Sequence, residues 1–218
     1  MPRLALITEF LILFLALPLA YRFAPVRIPP LPLLWVVAIY AWIQLMRDAR
    51  FDRGRLWNIG ALPGRIGVIL AIFAVVALVI WLGVRQFAPA LEWNFVRSNP
   101  GFWAIVMLVY PVLSVYPQGV IYRAFFFERY AAFLPSRWAL ILASAAAFAF
   151  MHIIFRNWLA VALTLAGGLL FAARYAETGS LATSSFEHAL YGCWLFTVGL
   201  GQYFYHGTIA TVGTTLRR

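Results

Sequence analysis

The sequence predicts an all-α fold, a polytopic transmembrane helical bundle of about seven spans with a polar cavity inside it. Three observations carry that prediction. Of the 218 residues, 64% are hydrophobic and 11% charged, against an apolar share of about 45–50% in ordinary globular chains. Apolar runs of about 15–20 residues recur from end to end, each near the length that crosses a bilayer core. Most of the charge lies between these runs, in short loops where every basic residue is arginine. A secreted or cytosolic protein is excluded, and no separate soluble domain is expected. The formal net charge of +10 is read as a topology signal and as contact with membrane lipid headgroups, not as a nucleic-acid footprint. Cys193, the single cysteine, sits in an apolar run and can build neither a disulfide nor a thiolate metal site.

Taken in order, Leu4 to Ala20 is the first span, and its basic Met-Pro-Arg start is read as part of a retained helix, not a cleaved signal. A proline-rich connector, Tyr21 to Pro32, leads to a shorter run from Leu33 to Met46, with Trp35 and Trp42 as interfacial anchors. The loop from Arg47 to Arg65 is the most charged and is assigned to the cytoplasm with the amino terminus. Ile66 to Val84 is the clearest span; Arg85 to Pro100 follows on the opposite side. The fourth helix runs from about Gly101 toward Phe127, with a kink expected at Pro111 and Pro117. After a turn at Leu134 to Ser136, the fifth helix, Trp138 to Phe155, carries Ala143-Ser144-Ala145-Ala146-Ala147. The sixth, Trp158 to Ala173, carries Gly167-Gly168, and such small residues let helices approach closely. A polar turn, Arg174 to Ser180, precedes the seventh run, Leu181 to Leu200. Residues 1–100 thus form an N-terminal set of helices with the Arg-rich loop, 101–200 a core with the polar site, and 201–218 a tail that holds His206.

The core is organised around VYPQGVIYRAFFFERY, Val115 to Tyr130, which puts Gln118, Arg123, Glu128 and Arg129 at the end of an apolar helix. Ionisable residues within membrane spans are expensive and mark functional sites. Gln118 and His152 each lie about sixteen residues from the turn that joins their helices, hence roughly 24 Å from it at 1.5 Å per residue. Helix geometry therefore permits Gln118, Arg123, His152 and His188 to line one cavity. Each has a plainer reading: His152 bonded to a nearby carbonyl, Arg123 extended to the headgroups, and Glu187 paired with His188 between helices.

Three segments resemble the CPBP family of CAAX prenyl endopeptidases and bacteriocin-processing membrane proteins. YRAFFF resembles the residues after that family's paired glutamates. FAFMH, Phe148 to His152, resembles its second motif, a phenylalanine ahead of a histidine. Gly167 to Gly192, GGLLFAARYAETGSLATSSFEHALYG, resembles its third, a glycine-bearing helix, a TGS turn and a helix with a histidine. The resemblance spans about Gly101 to Leu200. It implies an intramembrane endopeptidase of the bacterial inner (plasma) membrane, acting by an activated water on a membrane-associated or lipidated peptide, without a cofactor or metal. Carried over, Arg123 matches the arginine of Glu-Glu-x-x-x-Arg, His152 the water-activating histidine and His188 the later, oxyanion-stabilising one. Gln118 and Gly119 stand where the two glutamates are expected, and Gly192 where an asparagine is. Glu187 and Glu128 are the possible substitute carboxylates.

A neutral amide cannot serve as a general base. The alternative is therefore a proteolytically inactive member that binds a membrane peptide without cutting it. A zinc site through His152, His188 and a glutamate lacks any pair at i, i+4 spacing. A serine protease lacks a nucleophile turn. A small transporter would also suit a polar cavity.

Overall fold

The computed structural model describes residues 3–24 and 29–204. The tail from residue 205, with His206, and Arg27 of the connector lie outside the described residues. Within them the chain is all-helical. Six helices are long and apolar enough to cross a membrane: α1 (Arg3–Phe23), α2 (Pro30–Arg47), α3 (Ile66–Phe87), α4 (Pro100–Phe133), α5 (Arg137–Phe155) and α6 (Trp158–Thr178). The seventh expected run forms α7 (Leu181–Val198). Ser184, Ser185, Glu187 and His188 dilute its apolar character, and all but the half-buried Ser185 are buried. The bundle turns its large apolar side chains outward as well as inward: Val75, Leu78, Val79, Leu108 and Trp158 are all exposed. Such a surface suits hydrocarbon, not water.

Local chemistry sets the boundaries. Asn99, Ser136, Asn157 and Ser180 each accept a hydrogen bond from the backbone N–H three residues on, capping α4, α5, α6 and α7. Gly179 and Gly199, both at positive φ, close α6 and α7. One sequence expectation changes. The expected polar turn begins late: α6 continues to Thr178, and Arg174 is a buried helical residue because Glu187 meets its charge. At the prolines, where a kink is expected, α4 stays helical. It passes through π-helical turns at Pro111–Val115 and Val120–Phe125 on either side of Tyr116–Gly119, the usual way a helix absorbs a lost backbone hydrogen bond near a functional residue.

The ends of the helices converge as alternating spans require. At one end Arg65 pairs with Glu177 at 2.8 Å, and Ser180 donates to the carbonyl of Asn58. At the other, Trp81 donates to Glu92 at 2.7 Å, and Arg156 donates to the carbonyl of Arg22 at 2.9 Å. The small-residue faces meet as expected. A Cβ on Gly168 would lie 3.2 Å from the Ala145 backbone, so α5 and α6 pack at close range.

Candidate active site

The polar positions singled out in the sequence separate into a cluster and its surroundings. Arg123 on α4 is 2% exposed, His188 on α7 6% and His152 at the end of α5 9%, so Arg123 turns into the bundle and does not extend to the surface. Two phenylalanines hold them. The Arg123 guanidinium lies 4.8 Å from the ring centre of Phe148 and 5.2 Å from that of Phe171. His188 stacks on Phe171 with ring centres 4.5 Å apart. Phe148 turns an edge between His152, at 4.7 Å, and His188, at 5.5 Å. A guanidinium between aromatic faces gains about 2 kcal/mol or more when desolvated, which fixes its plane without neutralising its charge.

Hydrogen bonding sets the two imidazoles in opposite roles. His152 Nδ1 lies 2.7 Å from the carbonyl oxygen of Phe148, which can only accept, so Nδ1 carries the proton and Nε2 of the neutral ring carries the lone pair. His188 Nδ1 lies 3.4 Å from Arg123 Nη2, which can only donate. His188 Nδ1 therefore accepts, and its proton sits on Nε2. One ring presents a base, the other a donor. Arg123 Nη1 is buried with no hydrogen-bond partner and adds a second donor. The plain reading of His152, a bond to a nearby carbonyl, is thus met and also orients the ring.

The remaining sequence candidates lie outside this cluster. Gln118 donates to Ser114 Oγ at 2.7 Å, leaving its Oε1 buried and unpartnered. Glu187 is fully buried, but it takes a two-pronged bond from Arg174 at 2.9 and 3.3 Å. It is tied to α6 and not to the His188 beside it in sequence. Glu128 is half-buried near the end of α4, five residues beyond Arg123. Among the described residues no three His, Cys, Asp or Glu side chains come together at metal-binding range.

Sequence reasoning missed three features. Phe148 and Phe171, which the sequence offered only as letters within the second and third motifs, are the plates on which the cluster rests. Glu9 of α1 accepts bonds from Arg129 at 2.9 Å, Tyr40 at 2.6 Å and Tyr130 at 2.9 Å, clamping α1 and α2 to α4; a lone acid in an apolar run was the available signal. Gly192 has its side-chain space filled by Tyr110 of α4, which no spacing rule could reveal.

Residues 99–194 match the model of one family, described as Rce1-like, type II CAAX prenyl endopeptidase. That segment runs from the cap of α4 through most of α7 and holds every member of the cluster. Over it the chain is similar to that family, as the three motifs indicated, and the family is one of membrane endopeptidases. No curated protein and no solved structure matches the chain. With its apolar helices, the chain is an integral, multi-pass membrane protein.

Proposed function

We propose that the chain is an intramembrane CAAX-type endopeptidase of the bacterial inner membrane, acting on a membrane-associated or lipidated peptide, in which His152 alone activates water. The observation that supports it is the pair of opposed imidazoles. His152 Nε2 removes a proton from water as the oxygen bonds to the scissile carbonyl carbon. The carbonyl π pair moves onto oxygen, and the His188 Nε2–H, with Arg123 behind it, faces that oxyanion. Collapse re-forms the C=O bond and breaks the C–N bond, and the proton on His152 passes to the leaving amine. Gln118, a neutral amide bonded to Ser114 with its Oε1 unpartnered, can accept a hydrogen bond from water but cannot deprotonate it. A site short of one carboxylate base is expected to run about 100- to 10,000-fold below one that has it.

The test is cleavage of prenylated and unlipidated membrane peptides by purified wild type, His152→Ala and Gln118→Glu. Slow turnover by the wild type, abolished in His152→Ala and raised in Gln118→Glu, is expected. Cleavage that survives His152→Ala would sink the assigned chemistry. A second reading, a member that binds such a peptide without cutting it, is favoured by one observation. A Cβ on Gly119 would lie 2.9 Å from both Leu181 and Ser185, so the second expected carboxylate position is closed by packing. Activity found only in Gln118→Glu would establish that reading.

A further inference from the structure

Tyr110 is a polar side chain near the cluster that the chemistry above does not use. It stands on α4, thirteen residues before Arg123, and it reaches across to α7. A Cβ built on Gly192 would collide with the tip of its ring, including the hydroxyl. The phenol therefore occupies the volume a side chain at position 192 would fill, one helical turn beyond His188 on the same helix. Glycine in a helix interior costs about 1 kcal/mol relative to alanine. Here that cost leaves room for the phenol.

Three further facts bear on what the phenol does there. Tyr110 and Arg123 are close enough to interact electrostatically. Phe196 packs edge-on against the Tyr110 ring at 5.2 Å and sets its plane. The Tyr110 hydroxyl would meet a Cβ at position 192, so the O–H ends against α7 one turn from His188. Arg123 Nη1 is buried there with no acceptor. The phenol O–H, Arg123 Nη1 and the His188 Nε2–H bring donors to this side of the bundle, which suits an oxygen gaining negative charge.

We infer that Tyr110 is a further catalytic residue, whose O–H donates to the oxyanion of the tetrahedral intermediate beside the His188 Nε2–H. The inference rests on the hydrolytic reading. No proton is transferred to or from the phenol: it shares its hydrogen with the oxyanion while the C–O bond is single and releases it when the C=O bond re-forms. The ligand class it selects is a tetrahedral oxyanion on a peptide carbon, in preference to the planar carbonyl of bound substrate.

The experiment compares wild type with Tyr110→Phe, which keeps the ring against Gly192 and removes only the oxygen. Two readouts are taken on the same detergent-purified protein: steady-state cleavage, and affinity for a membrane peptide against its phosphinic isostere. Loss of one oxyanion donor is expected to lower kcat about 100- to 1,000-fold with KM unchanged. It should also erase the wild-type preference for the isostere while affinity for the peptide stays the same. Wild-type cleavage that is unaltered in Tyr110→Phe would overturn the role of Tyr110 and leave the endopeptidase standing. Equal weakening of peptide and isostere would also overturn it, since that is the mark of a packing role. A wild type that neither cleaves nor prefers the isostere would remove the hydrolytic reading and the Tyr110 inference together.

Discussion

Arg174 and Arg123 are both buried arginines of the bundle, and their surroundings are opposite. Arg174, on α6, meets Glu187 through two nitrogens and Glu177 at 2.7 Å. Arg123, on α4, meets two aromatic faces and one imidazole, and no carboxylate pairs with it among the described residues. Removing an arginine from water costs several kcal/mol, which only a partner of opposite charge or a wet site returns. Arg174 is a finished structural joint that locks α7 to α6 and thereby fixes the rotation of His188. Arg123 is held in place by shape but left unneutralised, which is the condition of a group meant to meet a ligand. The Glu9–Arg129 clamp belongs with Arg174. Among the described residues the paired buried charges hold helices together, and Arg123, which no carboxylate pairs, belongs to the proposed site.

The largest expected effect follows from breaking the satisfied joint. Arg174→Met leaves Glu187 fully buried beside no cation, and removing one partner of a buried pair costs about 3–5 kcal/mol. Thermal unfolding in mild detergent checks this, and adding Glu187→Leu should recover most of the loss. A single variant as stable as wild type would erase the contrast with Arg123. Next comes Glu9→Gln. It removes the charge that Arg129 and two phenols share, yet the Arg129 side chain is 19% exposed and keeps access to solvent. A loss of about 1.5–3 kcal/mol is expected, the range for hydrogen bonds to a charged group, and no change should occur in any cleavage chemistry.

The sequence made the bundle legible because apolar period and arginine placement report directly on what hydrocarbon tolerates. The observed bounds of α3 and α5 begin or end within a residue or so of the apolar runs. The convergence of Arg123, His152 and His188 was legible too, because depth along a helix scales with residue number. What was hidden depends on rotation and on partners from distant elements. Gln118 shares the depth of the cluster but faces Ser114 on its own helix. Glu187 adjoins His188 in sequence, yet the 100° between successive helical residues sends it to Arg174. The ring of Tyr110 in the space of Gly192 joins residues 82 positions apart, where an absent side chain gives sequence reasoning nothing to count.

Gly119→Ala tests packing beside the cluster without touching a charge. Its Cβ would meet Leu181, a fully buried core residue, at 2.9 Å. Overpacking of this kind costs about 1–3 kcal/mol. Leu181→Ala in the same chain should relieve that strain, so that the double variant loses less than the two single losses added together; full additivity would show that the two positions do not collide.

The smallest effect on stability is expected where the charge is least satisfied. Arg123→Met removes a guanidinium whose aromatic contacts contribute about 2 kcal/mol, but it also removes a desolvation cost of several kcal/mol. It leaves no buried acid behind, and methionine is flexible enough to fill the slot between Phe148 and Phe171. A change within about 1 kcal/mol of wild type is expected, while affinity for the phosphinic isostere collapses. The same substitution at Arg174 gives the opposite pattern, a large loss of stability with the surviving folded fraction still able to bind. Should Arg123→Met unfold the protein as readily as Arg174→Met, Arg123 would be one more structural joint, and the donor-rich region around His188 would lose its claim to be a site.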